Sequence, residues 1–443
     1  MSNVQLSEFF ENEYVDFSVY DNVRKIASYI DGQKNSSRKV LHTLREQNVT
    51  SFVKVSNLGP RIQDHTQYLH GSLEGVITNM TANYVGSGNN IPLLEGDGNF
   101  GSSFIPAPAA TRYIFARQSP IIKDLFLKDD SPLLEEQWFE GDKIEPRYYV
   151  PVIPMLAING SEGMSIGFAQ KILPRNPRDV CDWVTKMSNG TKPRKPLIPY
   201  WTGQTFTVEP GETPAQWIIK GKFIRNTKNK LTITSIPVGY TLKSYQNVLD
   251  KLVDDKVIRN YDDLSDEDVF KFELNVDKGF SAKEDAFIMT KLKLVKTITE
   301  NYTCIDENNK IVQFATFEDM IKAWYDVRIA YNAKRKDYIL STIENDIEAL
   351  DVKRLFIGGV VDGLIELRNR GESEIERAAI ECNSKLKSHI KSLINLPMRV
   401  LTKEEIKKLD SKIKDLKKEY KEYSKKSFEI ILQEDVKNIE SYL

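Results

Sequence analysis

The chain has 443 residues, of which 40% are hydrophobic and 28% charged, and its 62 Lys and Arg balance 63 Asp and Glu to a formal net charge of -1. That is the composition of an ordinary soluble globular protein, long enough for roughly two to four domains of about 150 residues each. A globally basic polyanion binder is excluded, so any such surface must come from local clustering of Lys and Arg.

The three cysteines, Cys181, Cys304 and Cys382, lie far apart without CxxC spacing. They imply neither a disulfide framework nor a zinc site, in keeping with a reducing cytosol. The start, MSNVQLSEFFENEYVDF, lacks a basic region followed by an apolar one, and no apolar run approaches a membrane span. A soluble cytoplasmic protein is expected.

In chain order, an N-terminal arm (1–20) precedes a region (21–144) in which helical segments alternate with Gly-rich loops. In the stretch DNVRKIASYIDGQKNSSRKVL, Asp31-Gly32 is a turn signal, and Ser36 or Ser37 can cap a helix that turns Val40, Leu41 and Leu44 inward. Arg38 and Lys39 fall in its first turn, against the helix dipole, a placement that an anion would offset. Arg24, Lys34, Arg38 and Lys39 together could grip a phosphate backbone, or form a solvated basic face.

Ser72 to Tyr84 reads as an amphipathic helix, with Leu73, Val76, Ile77, Met80 and Tyr84 at helical spacing. His70 sits just ahead of its N-terminus, where free amides welcome an anion; a satisfied structural histidine is the alternative. Two helices followed by a Gly-rich β segment make the pattern of a winged helix.

Next comes LLEGDGNFGSSFIPAPAATRYIFARQSP. Gly96, Gly98 and Gly101 permit tight turns and close backbone approach, but no phosphate-loop or dinucleotide-binding spacing accompanies them. Ala107, Ala109 and Ala110 lead into Arg112-Tyr113. A phenol is inert while protonated, with an unperturbed pKa of about 10, and an adjacent guanidinium favours the phenolate and can clamp a phosphate.

Residues 145–315 turn β-rich: YYVPVIPMLAI, FTVEP, KLTITSIPV and KFELNV are expected as strands. From 316 to 443 the chain is almost wholly helical. Ile406, Leu409, Ile413, Leu416, Tyr420 and Tyr423 form a heptad seam, which Thr402 and Glu405 start with a capping box. Ile339, Ile343, Ile347 and Leu350 make a second stripe. An antiparallel coiled-coil arm tipped by a small helical knob at about 352–398 follows from these, or a simple helical bundle.

The run RYIFARQSPIIKDLF…DD…IEPRYYVPVIPMLAINGSEGMSIGFAQKILPRNP resembles the breakage-reunion region of type IIA DNA topoisomerases. It is most similar to the eukaryotic enzymes and to the medium subunit of T4-like bacteriophage topoisomerases. The segments DNVRKIASYIDGQKNSSRKVL, YLHG, NYVGSGNNIPLL and GDGNFGS recur there in the same order, so the resemblance covers most of residues 21–177.

The resemblance implies an α+β multidomain fold: a winged-helix cleavage domain (21–144), a tower domain (145–315), and a coiled-coil arm with a helical exit gate (316–443) that pairs two copies. It implies that Tyr113 attacks DNA and that Arg112 stabilises the transition state. His70 matches the second histidine of a pair whose first position is here Leu69. Arg24, Lys34 and Arg38 match residues that hold the scissile strand. Met164 stands where the family usually has an isoleucine that wedges between bases and bends the duplex.

The expected reaction is a transient double-strand break through 5′-phosphotyrosyl links, passage of a second duplex, and resealing. No ATP-binding motif is visible, and Asp266-Glu267-Asp268 reads as a solvated loop rather than a metal site. The family's split members place the ATPase and the Mg²⁺-binding TOPRIM domain on a large subunit, so such a partner is expected to supply both ATP and Mg²⁺. The chain stops at the arm, without a DNA-wrapping propeller, so relaxation and decatenation are expected rather than negative supercoiling. Two rivals remain: a catalytically silent DNA-bending or scaffold protein of the same fold, and a hydrolytic nuclease, for which residues 21–177 offer no carboxylate cluster.

Overall fold

Two helices, α1 (Leu6–Glu11) and α2 (Glu13–Lys25), open the part of the chain that the computed structural model describes, residues 6–443. Residues 1–5 of the expected N-terminal arm lie outside the described residues. α3 (Asn35–Glu46) carries Val40, Leu41 and Leu44 fully buried, as their spacing predicts. Each such side chain contributes about 1.5–3 kcal/mol by leaving water. The start of α3 differs from expectation: Lys34 is the N-cap residue, and Ser37 reaches back from the first turn to accept the Lys34 N–H at 3.0 Å.

The two-residue strand β1 (Val53–Lys54) runs into α4 (Val55–Thr66), and α5 (Glu74–Thr81) follows. Val55, Leu58 and Ile62 of α4 are fully buried, as are Leu73 just before α5 and Ile77 within it. The helix expected over 72–84 is shorter at both ends. It stops at Thr81 because Ala82 is extended and the Asn89 side chain donates to the carbonyls of Asn79 and Ala82 at 2.6 and 2.9 Å. β2 (Leu94–Asp97) and β3 (Phe115–Gln118) then join β1 in an antiparallel sheet of order β1-β3-β2.

In the β-rich region FTVEP, KLTITSIPV and KFELNV supply the strands Thr207–Pro210, Lys230–Ser235 and Phe272–Asn275. The first belongs to a three-stranded sheet and the other two to a four-stranded one. YYVPVIPMLAI corrects the reading: it forms no strand but an irregular segment, bent at Val152 and Ile153, that ends in the short helix Met155–Asn159. The run is buried along most of its length, so no periodicity marks its conformation, and Pro151 and Pro154 lack the amides that a central strand needs.

By contacts the described chain divides into two units: residues up to Ile329 together with Leu432–Leu443, and Ala330–Ile431. Phe317, Met320, Ile321 and Trp324 are buried in the first unit, and Arg328 is buried there on Asp130 at 2.7 Å. Leu432, Val436 and Ile439 return to the same unit.

The second unit contains most of the 45-residue helix Phe317–Val361 and the returning helix Lys403–Ser424. The Thr402 hydroxyl accepts the Glu405 N–H at 3.2 Å, one half of the expected capping box, while the Thr402 N–H donates to the Val400 carbonyl at 2.9 Å. Ile343, Leu409 and Ile413 are buried from the two stripes. Val352 and Phe356, near the end of the long helix, belong with Ile375, Leu386 and Ile390 to a separate small core.

Candidate nucleic-acid interface

Tyr113 sits in the turn that feeds β3, its N–H donating to the Ala110 carbonyl at 2.8 Å. Two backbone bonds pin this turn to the start of α4: Ser56 N–H to Thr111 O at 3.3 Å and Val55 N–H to Ile114 O at 3.0 Å. A third tie is a side chain, Thr111 Oγ1 donating to Glu74 Oε2 at 2.7 Å. Ile114 is buried beneath, against Gly98 (φ +107°), where a Cβ would come within 2.8 Å of the Ile114 side chain. The glycine is thus required for both its backbone angle and its closeness.

Rigid below, the turn is open above. Tyr113 is 65% exposed, and the Arg112 guanidinium carbon lies 4.8 Å from its ring centroid. Of the chain's nineteen tyrosines, several are unsuited to nucleophilic work because burial pushes their phenols up: Tyr29, Tyr149, Tyr245 and Tyr302. Tyr113 instead presents its oxygen to solvent beside a cation, an arrangement that can attack an approaching electrophile and absorb the charge that develops.

His70 belongs to a second cluster. Its Nε2 shares a hydrogen bond with the Tyr20 hydroxyl of α2, and the Tyr68 ring meets it edge-on at 5.8 Å. Arg24 lies over the Tyr20 ring at 5.4 Å. Arg24 and Tyr68 also line a cavity of about 110 Å³ with Lys25, Asn35 and Ser36, at the N-terminus of α3. Cations and helix-start amides around a space of that size suit an anion such as a phosphate. Among the described residues, no hydrogen bond or ring contact joins this cluster to the Arg112–Tyr113 pair.

Lys34 extends from the same helix start, its Nζ donating to the Glu162 carbonyl at 2.6 Å. Burial lowers its ammonium pKa from the ordinary value, an effect that Glu162 partly offsets. It lines a groove of about 750 Å³ that also presents Lys171 and Lys296. Glu162 lies on the hairpin Ser161–Ser165/Phe168–Ile172, near whose tip Met164 is 78% exposed. α2 holds that hairpin: Ile166 N–H donates to Asp21 at 3.2 Å and Ser165 Oγ to Asn22 at 2.5 Å. Gly163 presses so close that a Cβ would fall 2.1 Å from the Lys25 carbonyl oxygen.

Arg38 and Lys39 correct the expectation that they face a phosphate backbone. Both are buried. Arg38 makes a two-pronged bond to Asp31, at 2.7 and 3.1 Å, and Asp31 also accepts the Gln33 and Tyr149 amides. Lys39 donates to Glu145 at 2.8 Å and to the Thr66 carbonyl at 2.9 Å. The anion that offsets their place in the first turn of α3 is therefore internal carboxylate. Asp266-Glu267-Asp268 forms a tight turn closed by an Asp266–Val269 bridge. Among the described residues, no group of three or more His, Cys, Asp or Glu is arranged to hold a metal ion.

Sequence reasoning missed Tyr20, Tyr68, Glu74 and Thr111. Tyr20 and His70 are 50 positions apart, and nothing local links them.

Residues 24–437 match the family of the DNA gyrase/topoisomerase IV A-subunits. The chain is 30% identical to the mitochondrial DNA topoisomerase 2 of Dictyostelium discoideum over 459 aligned residues, covering 100% of this chain and 35% of that protein. It is 34% identical to the DNA topoisomerase 2 of Bombyx mori, covering 83% of this chain and 24% of that one. It thus spans about a third or less of the length of these relatives. In structure it is similar to the DNA-binding, cleavage and re-ligation domain of Plasmodium falciparum topoisomerase II, with a TM-score of 0.87 and 27% identity. That match covers 98% of this chain and 64% of the other. No described helix is long and apolar enough to cross a membrane.

Proposed function

Because the chain belongs to the DNA gyrase/topoisomerase IV A-subunit family, we propose that it is the DNA-cleaving and rejoining part of a type II topoisomerase, with Tyr113 as the nucleophile. The observation that carries this reading is the exposed Arg112–Tyr113 pair on a turn tied to α4 and α5.

The Tyr113 oxygen gives its proton to solvent and bonds to a backbone phosphorus. The phosphorus–O3′ bond breaks, and the leaving oxygen takes up a proton as a free 3′-hydroxyl. The 5′-phosphotyrosyl link keeps the bond energy for the reverse reaction. Arg112 lowers the cost of negative charge on the phosphoryl oxygens. His70, Arg24 and Lys34 hold the cut strand, and Met164 enters the base stack as the wedge that bends the duplex.

Residues 21–144 act in this reading as the winged-helix domain, 145–315 as the tower, and the long helices with their knob as the arm of a homodimer. The exposed Leu364 and Met398 of the knob suit an apolar contact between two copies. Mg²⁺ and ATP are assigned to an ATPase/TOPRIM subunit, as the resemblance to the split members of the family implies.

The test is Tyr113→Phe, assayed with the partner subunit, DNA, Mg²⁺ and ATP. The variant folds and binds DNA but gives no denaturant-trapped protein–DNA adduct. Adducts at the parental level would end this assignment.

A further inference from the structure

Leu69, beside His70, is 75% exposed and offers the histidine no polar atom. The polar neighbour comes from α2. The Tyr20 hydroxyl meets His70 Nε2, with the two rings 5.7 Å apart and inclined at 48°. The Tyr68 ring also meets the imidazole, edge-on at 5.8 Å, and Arg24 lies over the Tyr20 ring. α2 is itself fixed near its end by the Asp21 and Asn22 bonds to the hairpin. An exposed histidine is thereby in contact with two aromatic side chains, one of which also shares a hydrogen bond with it.

We propose that Tyr20 is the positioning residue for His70, locking the imidazole in one tautomer and one orientation for contact with a phosphoryl oxygen. The inference rests on the reading above, in which His70 touches the DNA phosphate.

In a neutral imidazole one nitrogen donates and the other accepts. A phenol O–H is a stronger donor than an imidazole N–H, so Tyr20 donates and Nε2 accepts. The ring proton then resides on Nδ1, which makes no hydrogen bond among the described residues and is free to donate to phosphate. Without the hydroxyl the ring can flip and exchange tautomers, and only a fraction of its states present an N–H correctly. The Tyr20 ring also carries Arg24, so one side chain sets the place of two phosphate-facing groups.

Tyr20→Phe removes the hydroxyl and keeps the ring under Arg24. With the full chain, DNA and the partner subunit, single-turnover cleavage should slow about tenfold while DNA affinity and melting temperature stay at parental values. The chain has only four histidines, so ¹⁵N-histidine spectra resolve the tautomer: Nδ1–H in the parent and a mixture in the variant. In a His70→Ala background, Tyr20→Phe should have no further effect.

Parental cleavage by Tyr20→Phe, or an equal loss in both backgrounds, would overturn the inference and leave the His70 reading standing. Parental cleavage by His70→Ala would overturn both.

Discussion

Thr111 and Glu74 share a 2.7 Å hydrogen bond that ties the Tyr113 turn to the first turn of α5. The pair is half-buried, so the bond contributes nearer 1 kcal/mol than the upper range for charged acceptors. Thr111→Val should therefore barely move the urea midpoint, yet let the phenol wander. Adduct formation is expected to fall several-fold, to about tenfold. A parental rate would mean that the backbone bonds to Val55 and Ser56 hold the turn unaided.

The basic residues around α3 divide by burial. Breaking the Arg38–Asp31 pair leaves an uncompensated buried carboxylate, so Arg38→Ala should cost about 3–5 kcal/mol in urea unfolding. Arg24→Gln should leave stability alone and flatten the slope of log K against log salt for DNA binding by about 0.9. The opposite pattern would return Arg38 to the DNA surface.

His42 makes acid sensitivity specific. Burial first, then the neighbouring charges of His65 and Arg45, pull its pKa from the ordinary 6.5 down to about 3. Its ring is bonded to the Tyr149 hydroxyl at 2.8 Å and stacked on His65 at 5.2 Å. Below the unfolded pKa the unfolded chain binds a proton that the native state refuses. The contribution is thus complete above about pH 6.5 and is lost on acidification toward pH 3, by about 1.4 kcal/mol per pH unit. Urea unfolding at about pH 7 and about pH 5 should show a shallower pH dependence for His42→Gln than for the parent. Equal slopes would clear His42.

Met164→Gly should preserve folding, because the side chain is exposed near a hairpin tip. Bending of end-labelled DNA, read by energy transfer, should drop with it, and cleavage should fall about tenfold as the wedge that offsets unstacking is lost. Met164→Ile should keep both. Undiminished bending in the glycine variant would remove Met164 from the interface.

Much of this was legible locally. The inward stripe of α3, the strands at 207–210, 230–235 and 272–275, and the cap at Thr402 follow from spacing and turn chemistry, which neighbouring residues determine. What stayed hidden depends on distant partners. Lys39 looks like a surface cation until Glu145 appears, 106 positions away, and Arg38 looks unpaired until its chain folds back onto Asp31. The helix Met155–Asn159 hides in a run buried on all sides, where strand and helix share one hydrophobic signature. Nothing local sets Tyr20 apart, because its partner His70 is 50 positions away.

Because residues 432–443 rejoin the unit they left at Ile329, the second unit is an insertion whose entry and exit run side by side. Asn332 donates to the Phe428 carbonyl at 3.0 Å, and Lys336 to that of Ser424 at 2.8 Å. A short bridging turn near Asn332 and Phe428 could therefore replace the whole excursion. The trimmed chain would retain every residue from Tyr20 to Met164 to which the proposed reading gives a part, so the strand cutting and the pairing of copies proposed for it become separately testable.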